Sequence, residues 1–513
     1  MPNPPYQLPP PWRGRNDYRC RDLPTPLCRE LGTILVTGAS GYIGGRLVPE
    51  LICRGYDVRV MVRGDASEYE DVWPDAEVVA GDALDPESLD RALKGVGAAY
   101  YLIHSMVLGP KGFAEADMQA ARNFRTSAER AGVQRLIYLG GLGSTQQGLS
   151  AHLDSRHRVA EELQSGSIPT TVLRASVIIG SGSASFEIIK SLIDRMPIIP
   201  LPSWASNQSQ PIGIRDVVKY LVGSMEAPEA AGRNFDIGGP EVLTYAQMMQ
   251  TLAEILGRRT RFFRTALSST RLYGYAMSLL TPVPAPITMC LVGGLKNDTV
   301  CGNDDIREIV QFEPLPFREA LVRALNREEQ DHIATRWSDA YPAAHELCIK
   351  LHQLRRPPRY RAHYTLQTDR PADKLFAAFT RIGGSEGWFD TNWLWRMRGA
   401  IDRVLFGVGT ARGRRSKRDL RVHDVIDFWR VESILPQERL LLRAEMRMPG
   451  RAWLEFTIKP LGKMNELAIT AHYATRSGWG VIYWRFFEPF HWYIFARLLR
   501  QIKQRAHCQG AFE

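Results

Sequence analysis

Three glycines, each three residues apart, stand between an apolar run and an amphipathic stretch. The segment TGASGYIGG places Gly38, Gly41 and Gly44 as GxxGxxG directly after TILVT. In a strand–loop–helix unit the first glycine permits a tight turn, the second lets the backbone approach a diphosphate, and the third allows close helix–strand packing. The diphosphate then meets N–H groups at the positive helix end. The alternative is a glycine-rich turn that binds nothing. The predicted dinucleotide site also includes the loop residues Ser40, Tyr42 and Ile43.

The second predicted strand, VRVMV, bears on the choice of dinucleotide. NAD-binding domains usually carry Asp or Glu at its end, whereas Arg63 stands there in this chain. A guanidinium suits a 2′-phosphate, so the sequence predicts NADP(H), with NAD as the alternative cofactor and Arg59 as a helper. A solvent-facing Arg63 is the competing interpretation. Asp82 and Ala83, after the third strand, are predicted to contact the adenine. Asp82 could instead cap a helix, although Asp85 fits that role better.

The elements that position these residues alternate between strand and helix. Apolar runs predict strands at 33–37, 58–62, 77–82, 98–104, 135–140 and 170–180. Helical patterns separate them, and strands that are apolar throughout are typical of a sheet covered on both faces. The predicted fold class is therefore α/β, a Rossmann fold with a doubly wound parallel sheet.

The predicted domain organisation has four parts. They are a disordered Pro-rich tail at 1–30, an NAD(P)-binding Rossmann domain with a substrate lobe at 31–320, a helical linker at 321–360, and a C-terminal α+β domain at 361–510. The last part begins as strand and helix, continues as several strands without helices between them, and ends in an aromatic helix.

Composition bounds the class of protein. The 513 residues are 44% hydrophobic and 23% charged, as in ordinary globular proteins. A net charge of +10 over this length is no nucleic-acid signature. The basic run from Arg412 to Arg418 is interpreted as a solvated loop, with an anionic partner as the alternative. Seven cysteines at irregular spacing predict reduced thiols, a cytoplasmic location and no metal site.

The motifs together resemble a known superfamily. TGASGYIGG, GD at 81–82 and FDIGGPEVLTY are similar to extended and NmrA-like short-chain dehydrogenase/reductases over about residues 31 to 320. GGSEGWFDTNWLWRMRGAIDR and DVIDFWRV resemble a C-terminal domain of unknown function that is fused to the Rossmann part in an atypical subgroup. The resemblance implies NAD(P) binding, and it leaves the reaction unassigned.

The resemblance also locates candidate catalytic residues. The family uses Ser, Tyr and Lys, with YxxxK on the helix after the fifth strand. Here that helix reads HLDSRHRVAEEL, which puts His152 at the Tyr position and Arg156 at the Lys position. Glycines 140 and 141 occupy the expected serine position, and Ser144 is close but displaced.

Two interpretations of this departure stay open. In the first, His152 acts as a general acid that titrates near neutrality, Arg156 lies on the same helix face, and His104 points into the crevice at the carboxyl end of the fourth strand. In the second, the site is catalytically inactive, and the dinucleotide has a structural or sensing role. The sequence therefore predicts an atypical reductase-like protein that acts on or senses a hydrophobic small molecule. The alternative is a non-catalytic regulatory or assembly factor.

The C-terminal pattern resembles the helix-grip architecture of lipid-transfer-like domains. Its many aromatic residues are expected either to line a pocket for an apolar ligand or to fill the core. A third interpretation is peripheral membrane contact through the last helix, with Arg485, Arg497 and Arg500 facing headgroups and a kink at Pro489. The uncharged stretch 273–295 carries three prolines, which favours a hydrophobic lid or patch over a spanning helix.

Overall fold

The computed structural model describes residues 20–104, 113–143, 149–329, 335–339, 349–384, 386–410, 412–416 and 420–508. The chain divides into two compact units, which are treated separately below. The first comprises Met1–Thr281 and Ala285–Ala343, and the second comprises Pro282–Pro284 and Ala344–Glu513. Over the described ranges, no helix combines the length and the apolar character needed to cross a membrane.

The first part of unit 1 alternates strands and helices. In chain order these are β1 (Thr33–Thr37), α1 (Gly44–Arg54), β2 (Val58–Val62), β3 (Glu77–Ala80), α2 (Pro86–Leu93), β4 (Val96–Tyr101), α3 (Phe113–Ala131), β5 (Arg135–Gly141), α4 (Ala151–Gln164) and β6 (Thr170–Ala175). The predicted strands at 33–37 and 58–62 are confirmed to the residue, because turn or loop residues bound both apolar runs.

The remainder of unit 1 has shorter strands. They and the intervening helices are β7 (Ile178–Ile179), α5 (Ala184–Arg195), β8 (Ile198–Leu201), β9 (Gln208–Ser209), β10 (Ile212–Gly213), α6 (Ile214–Glu226), β11 (Asn234–Ile237), β12 (Leu243–Thr244), α7 (Tyr245–Ile255), β13 (Arg261–Arg264), α8 (Thr270–Leu280), α9 (Ala285–Gly294), α10 (Asp305–Ile309) and α11 (Phe317–Glu329).

Seven parallel strands form the central sheet, in the order β11-β6-β5-β4-β1-β2-β3. Residues of α1 and α6 pack on one face, and residues of α2, α3 and α4 pack on the other. Because both faces are covered, Ile34, Val36 and Tyr100 are fully buried. The predicted Rossmann-type, doubly wound α/β fold is confirmed.

The uncharged stretch in the middle of the chain forms two short helices. Pro282–Pro284 separate α8 from α9, as expected because proline cannot continue a helix. The two helices approach closely: a Cβ on Gly274 would lie 2.8 Å from Cα of Met289, and Oγ1 of Thr288 donates to the Gly274 carbonyl at 2.9 Å. The sequence prediction against a spanning helix agrees with this pair.

A buried ionic cluster joins the start of unit 1 to the end of α6. Glu226 is fully buried, and its carboxylate accepts hydrogen bonds from Thr25, Tyr56 and Arg54. Nη2 of Arg54 lies 2.6 Å from Oε2 of Glu226. Removing one partner of such a pair leaves an unpaired buried charge, which costs about 3–5 kcal/mol of stability.

Unit 2 contains a six-stranded antiparallel sheet and three α-helices over its described residues. Its elements are β14 (Tyr360–Thr368), α12 (Ala372–Phe379), α13 (Asn392–Val404), β15 (Val425–Ile426), β16 (Trp429–Leu435), β17 (Arg439–Ala444), β18 (Arg451–Leu461), β19 (Met464–Ala474) and α14 (Gly478–Cys508). The strand order is β14-β19-β18-β17-β16-β15, and α14 packs against α12, β14 and β19. The predicted antiparallel sheet is confirmed, whereas the helix-grip assignment stays a prediction.

The aromatic residues of unit 2 divide between core and surface. Trp388 and Trp395 stack with centroids 4.3 Å apart inside the core, and Nε1 of Trp388 donates to Oδ2 of Asp427 at 2.7 Å. Trp453 is also buried, whereas Trp479 is 76% exposed. Core packing therefore accounts for only part of the aromatic content.

The described part of the basic run, 412–416, differs from the predicted solvated loop, and Lys417 and Arg418 lie outside the described residues. Arg412 is buried and pairs with Glu445 at 2.7 Å, and Arg415 pairs with Asp424 at 2.8 Å. The pKa of Glu445 is lowered because Arg430 and Arg412 outweigh the effect of its burial. These arginines are therefore internal structural cations, and the solvated-loop interpretation is wrong for them.

Candidate functional site

The glycine-rich loop joins the carboxyl end of β1 to α1, and two of its glycines are sterically required. Gly38 has φ +66°, and a Cβ there would lie 2.5 Å from the Leu102 carbonyl oxygen. A Cβ on Gly44 would lie 2.5 Å from the carbonyl oxygen of Gly38 and 2.7 Å from Cα of Ala39. Gly41 donates its N–H to the Gly38 carbonyl at 3.0 Å. Any side chain at the first or third glycine would displace backbone and open this turn.

The other loop residues direct their side chains toward protein. Ile43 packs against the core, and the Tyr42 ring lies 4.7 Å from the Arg46 guanidinium. The Tyr42 hydroxyl lies against Gly180, since a Cβ on Gly180 would be 2.4 Å from the hydroxyl oxygen. Ser40 is half-buried. A ligand at this loop would therefore meet backbone more than side chains.

Arg46 ties α1 to a distant segment, the strap formed by residues 335–339. Its Nε donates to Oγ1 of Thr335 at 3.2 Å, and its Nη2 donates to the Ser181 carbonyl at 2.7 Å. Thr335 in turn donates from Oγ1 to the Tyr42 carbonyl at 2.9 Å, and the Trp337 N–H donates to the Gly182 carbonyl at 2.9 Å. No sequence motif marks these contacts, so sequence reasoning missed them.

Arg63 lies directly beyond the carboxyl end of β2, where the sequence places it. The nearest following carboxylate, Asp65, accepts from the N–H of Ser67 at 3.1 Å and from its hydroxyl at 2.8 Å, and so caps a 3-10 turn. Arg59 does not support Arg63. It pairs with Glu77 at 2.7 Å and donates to the carbonyls of residues 92 and 94, which precede β4 at the opposite edge of the sheet. Its predicted role as a helper is wrong.

Asp82 and Ala83 follow β3 at the same carboxyl edge. Oδ1 of Asp82 accepts from the Leu84 N–H at 3.0 Å, which forms a tight local turn. Asp85, rather than Asp82, caps α2, since Oδ1 of Asp85 accepts from the Glu87 N–H at 3.2 Å. The Ala83 carbonyl accepts from Nδ2 of Asn123 at 3.0 Å, which ties this loop to α3.

Two of the candidate catalytic residues lie in the first two turns of α4, and His104 follows β4. His152 is half-buried in the first turn, and Arg156 follows one turn later, its backbone carbonyl accepting from the Tyr138 hydroxyl at 3.3 Å. Loss of hydration and the charges of Arg156 and His152 lower the pKa of His104 well below its usual value. The Arg156 charge therefore acts on both histidines. Ser144 lies outside the described residues.

The protonation of His152 differs from the expectation. Burial, with a smaller contribution from the Arg156 charge, lowers the pKa of His152 to about 3. The imidazole is therefore neutral at physiological pH, and it does not titrate near neutrality. At the family's serine position, a Cβ on Gly141 would lie 2.8 Å from Cδ2 of Leu153 on α4, the end of a flexible side chain, so the described packing does not by itself exclude a serine there.

An apolar chamber of about 660 Å³, including its opening to solvent, lies in the lobe that follows β6. Its walls come from α5, α7, α8 and α9 and from the segments around β8. Representative lining residues are Ile188, Ile189, Met249, Met277 and Leu295. Helix α9 also packs against α4, and a Cβ on Gly294 would lie 3.9 Å from Oγ of Ser150, the N-cap of α4. One helix thus borders both the chamber and the segment that carries His152.

Comparisons with known proteins match the two parts of the chain separately. Residues 30–271 match the NmrA-like family, and residues 355–498 match a protein of unknown function, DUF2867. The ceramide reductase of Caulobacter vibrioides is 27% identical over 238 residues, which are 45% of this chain and 73% of the relative. The photosystem II assembly factor Ycf39 of Trieres chinensis is 21% identical over 233 residues, 45% of this chain and 70% of the relative.

One solved structure of similar fold is the triphenylmethane reductase of Citrobacter sp. complexed with NADP(H). It has a TM-score of 0.47 and 19% identity, and the match covers 57% of this chain and 99% of that one. Residues 30–271, slightly less than half of the chain, are therefore similar to the NmrA-like family. For the C-terminal domain, the match gives no function.

Proposed function

We propose that the chain is an NADP(H)-dependent reductase of a hydrophobic small molecule. The observation that carries this proposal is the apolar chamber, which shares helix α9 with the segment carrying His152. Relatives named as reductases, such as the ceramide reductase of Caulobacter vibrioides, support the reaction class.

The dinucleotide would lie over the glycine-rich loop. Backbone near Gly41 and the N-terminus of α1 suit the diphosphate, and Arg63 suits a 2′-phosphate because its guanidinium can bind two phosphate oxygens. Asp65 is engaged in capping, which favours NADPH over NADH at this edge. When bound, NADPH supplies a hydride.

The chamber indicates the substrate class. Its named walls are aliphatic or thioether side chains, so burial of an alkyl or isoprenoid chain would be favourable by about 25 cal/mol per Å². Few polar groups line it, so specificity for the reacting group must come from its mouth. A substrate with a long apolar chain and one reducible carbonyl or alkene fits this division.

His152 would act as a neutral hydrogen-bond donor. An imidazole with a pKa of about 3 carries no proton to give as a general acid at pH 7, but its N–H can polarise a substrate oxygen. The positive charge of Arg156, one turn away, would stabilise negative charge that develops on that oxygen. This role replaces the general-acid role expected from sequence.

The test is oxidation of NADPH, followed at its absorbance band, with aldehydes, quinones and isoprenoid enones of increasing chain length. We expect turnover with long-chain members, and Ile189→Trp should raise KM for them at least tenfold by filling the chamber. Ile198→Trp is the matched control, because Ile198 is half exposed on β8 outside the chamber. Equal effects of the two substitutions would refute the chamber as the substrate site.

The His152 role has its own readout. His152→Ala should lower kcat. The pH profile of the wild-type rate should show no ionisation near pH 6.5 that can be assigned to His152, that is, none that is lost in His152→Ala. Such an ionisation would restore the general-acid interpretation. Dinucleotide affinity, measured in parallel, should not change with Ile189→Trp or with Ile198→Trp.

A second candidate function is a non-catalytic dinucleotide-binding assembly or regulatory factor. The absence of YxxxK favours it, and one relative carries the name of a photosystem II assembly factor. NADPH binding without turnover of any panel member, together with a co-purifying protein, would support this function over the reductase.

For the C-terminal domain we propose a helix-grip architecture. Its support is the order of β14, α12, the antiparallel strands and the long α14, which packs on α12 and β14. A native mass spectrum that detects a co-purifying lipid-like molecule would test whether this domain carries a ligand.

A further inference from the structure

Helix α13 presents apolar side chains to solvent along one side. The intervals between them are three or four residues, so they form a single stripe. The stripe consists of Trp393, Met397, Ile401 and Val404, each about half exposed or more. The opposite side packs Leu394 and Trp395 into the core. An ordinary surface helix would carry polar residues where this stripe lies.

The first half of α14 repeats this arrangement. Its exposed stripe consists of Trp479, Ile482, Phe486, Phe490 and Tyr493, and Trp492 lies beside it. The buried side of the same helix carries Trp484 and Phe495. Both helices are therefore apolar on two sides, and only one side of each is used by the fold.

The two stripes belong to neighbouring helices. Nε of Arg398 on α13 donates to the hydroxyl of Tyr483 on α14 at 3.4 Å. The loop after α13 adds Leu405 and Phe406, both exposed. We call these exposed side chains of α13, its following loop and α14 the aromatic face. Monomeric soluble proteins rarely leave so many large apolar residues in one region without a partner.

Charge indicates what that partner is. Residues 344–513 contain 30 Lys and Arg against 16 Asp and Glu, a net charge of +14, whereas residues 1–343 contain 35 against 39, a net charge of −4. Several exposed arginines accompany the stripes. Arg396 lies between Trp393 and Met397, and the Arg497 guanidinium lies 4.5 Å from the Tyr493 ring centroid. The basic charge of the chain is thus concentrated in the part that carries the aromatic face.

We propose that the aromatic face docks on the surface of a bilayer that contains anionic lipid. Tryptophan and tyrosine favour the boundary between headgroups and acyl chains, and arginine stems can lie along apolar surface while their guanidinium groups reach phosphates. The helices would lie in the plane of the interface. A second copy of this chain fits less well, because a twofold contact would bring two units of like charge together.

The test is flotation of the full chain with vesicles, in the absence of dinucleotide. We expect binding to vesicles of 70% phosphatidylcholine and 30% phosphatidylglycerol, and at least fivefold weaker binding to pure phosphatidylcholine. The variant Trp479→Ser/Ile482→Ser/Phe486→Ser should reduce binding at least tenfold. The matched control is Leu461→Ser/Met464→Ser, which removes exposed apolar residues from the β18–β19 turn.

Three outcomes would overturn the proposal. They are no flotation of the wild-type chain, equal loss in the control variant, and a concentration-dependent dimer that the triple substitution abolishes while vesicles fail to bind. Circular dichroism and melting temperature verify that each variant is folded. NADPH binding by the same preparations is scored separately, so failure of membrane docking and failure of the proposed reductase function are distinguishable.

Discussion

Arg46 and Thr335 are 289 residues apart in the chain, yet Nε of Arg46 donates to Oγ1 of Thr335 at 3.2 Å. The same hydroxyl donates to the carbonyl of Tyr42 within the glycine-rich loop. A Cβ on Gly45 would lie 2.5 Å from Cγ2 of Thr335, so the strap is packed as well as hydrogen-bonded against the start of α1. The loop geometry therefore depends on a segment beyond the end of α11.

Substitution of Thr335 should weaken dinucleotide binding. Thr335→Val keeps the shape of the side chain but removes its hydroxyl. Arg46 then loses a hydrogen bond that contributes about 1–2 kcal/mol to stability. We expect NADPH affinity to fall about five- to tenfold by calorimetry. Thr251→Val is the control, because its hydroxyl donates to the Gln247 carbonyl within its own helix, α7, rather than to the glycine-rich loop. Unchanged affinity in both variants would show that the strap does not support the loop.

Gly38 should not tolerate a side chain. In Gly38→Ala the new Cβ would meet the Leu102 carbonyl oxygen at 2.5 Å in a left-handed backbone conformation, so β1 and β4 or the loop must shift. We expect loss of measurable NADPH binding and a melting temperature several degrees lower. Gly478→Ala serves for comparison, since that Cβ would meet nothing within 4 Å. A Gly38→Ala protein that binds NADPH normally would contradict the loop assignment.

The dinucleotide preference should depend on Arg63 rather than Arg59. Arg63→Ser removes the group proposed to bind the 2′-phosphate, so NADPH affinity should fall about ten- to hundredfold while NADH affinity stays within twofold. Arg59→Gln should leave the ratio of the two affinities unchanged, because Arg59 pairs with Glu77 near the amino ends of β2 and β3. A tighter affinity of the wild-type chain for NADH would reject the prediction of NADP(H).

Asp216 should make the stability of unit 1 depend on pH. Burial raises the pKa of Asp216 from 3.8 to about 6, although the Leu315 N–H bond opposes this rise. A raised pKa contributes stability below pH 3.8 that is lost as pH rises through 6. Asp216→Asn keeps an acceptor for Leu315 without the charge. The melting temperature of this variant relative to wild type should therefore increase between pH 4 and 7, by an amount equivalent to about 2–3 kcal/mol. If the difference in melting temperature between Asp216→Asn and wild type is the same from pH 4 to pH 7, ionisation of Asp216 does not make stability depend on pH.

Local patterns predict the elements and the loop but not the long-range contacts. The apolar runs of β1 and β2 are bounded by turn or loop residues, so their ends are readable. Arg59 lies within β2 and Arg63 follows it, and only the pairing of β2 with β3 shows that Glu77 holds Arg59. The pKa of His152 depends on burial, which no spacing reveals. The contacts of the strap cannot be predicted from the sequence, because Arg46 and Thr335 belong to no shared motif.

The Glu226 cluster has a consequence for the order in which the chain matures. Arg54 is synthesised with the first βαβ unit, but its carboxylate partner emerges from the ribosome 172 residues later. Until α6 appears, the Arg54 guanidinium and the Tyr56 hydroxyl lack this carboxylate, and the face of the sheet that α6 covers stays open to water. The nascent N-terminal half should therefore remain accessible to chaperones and proteases until translation has passed α6.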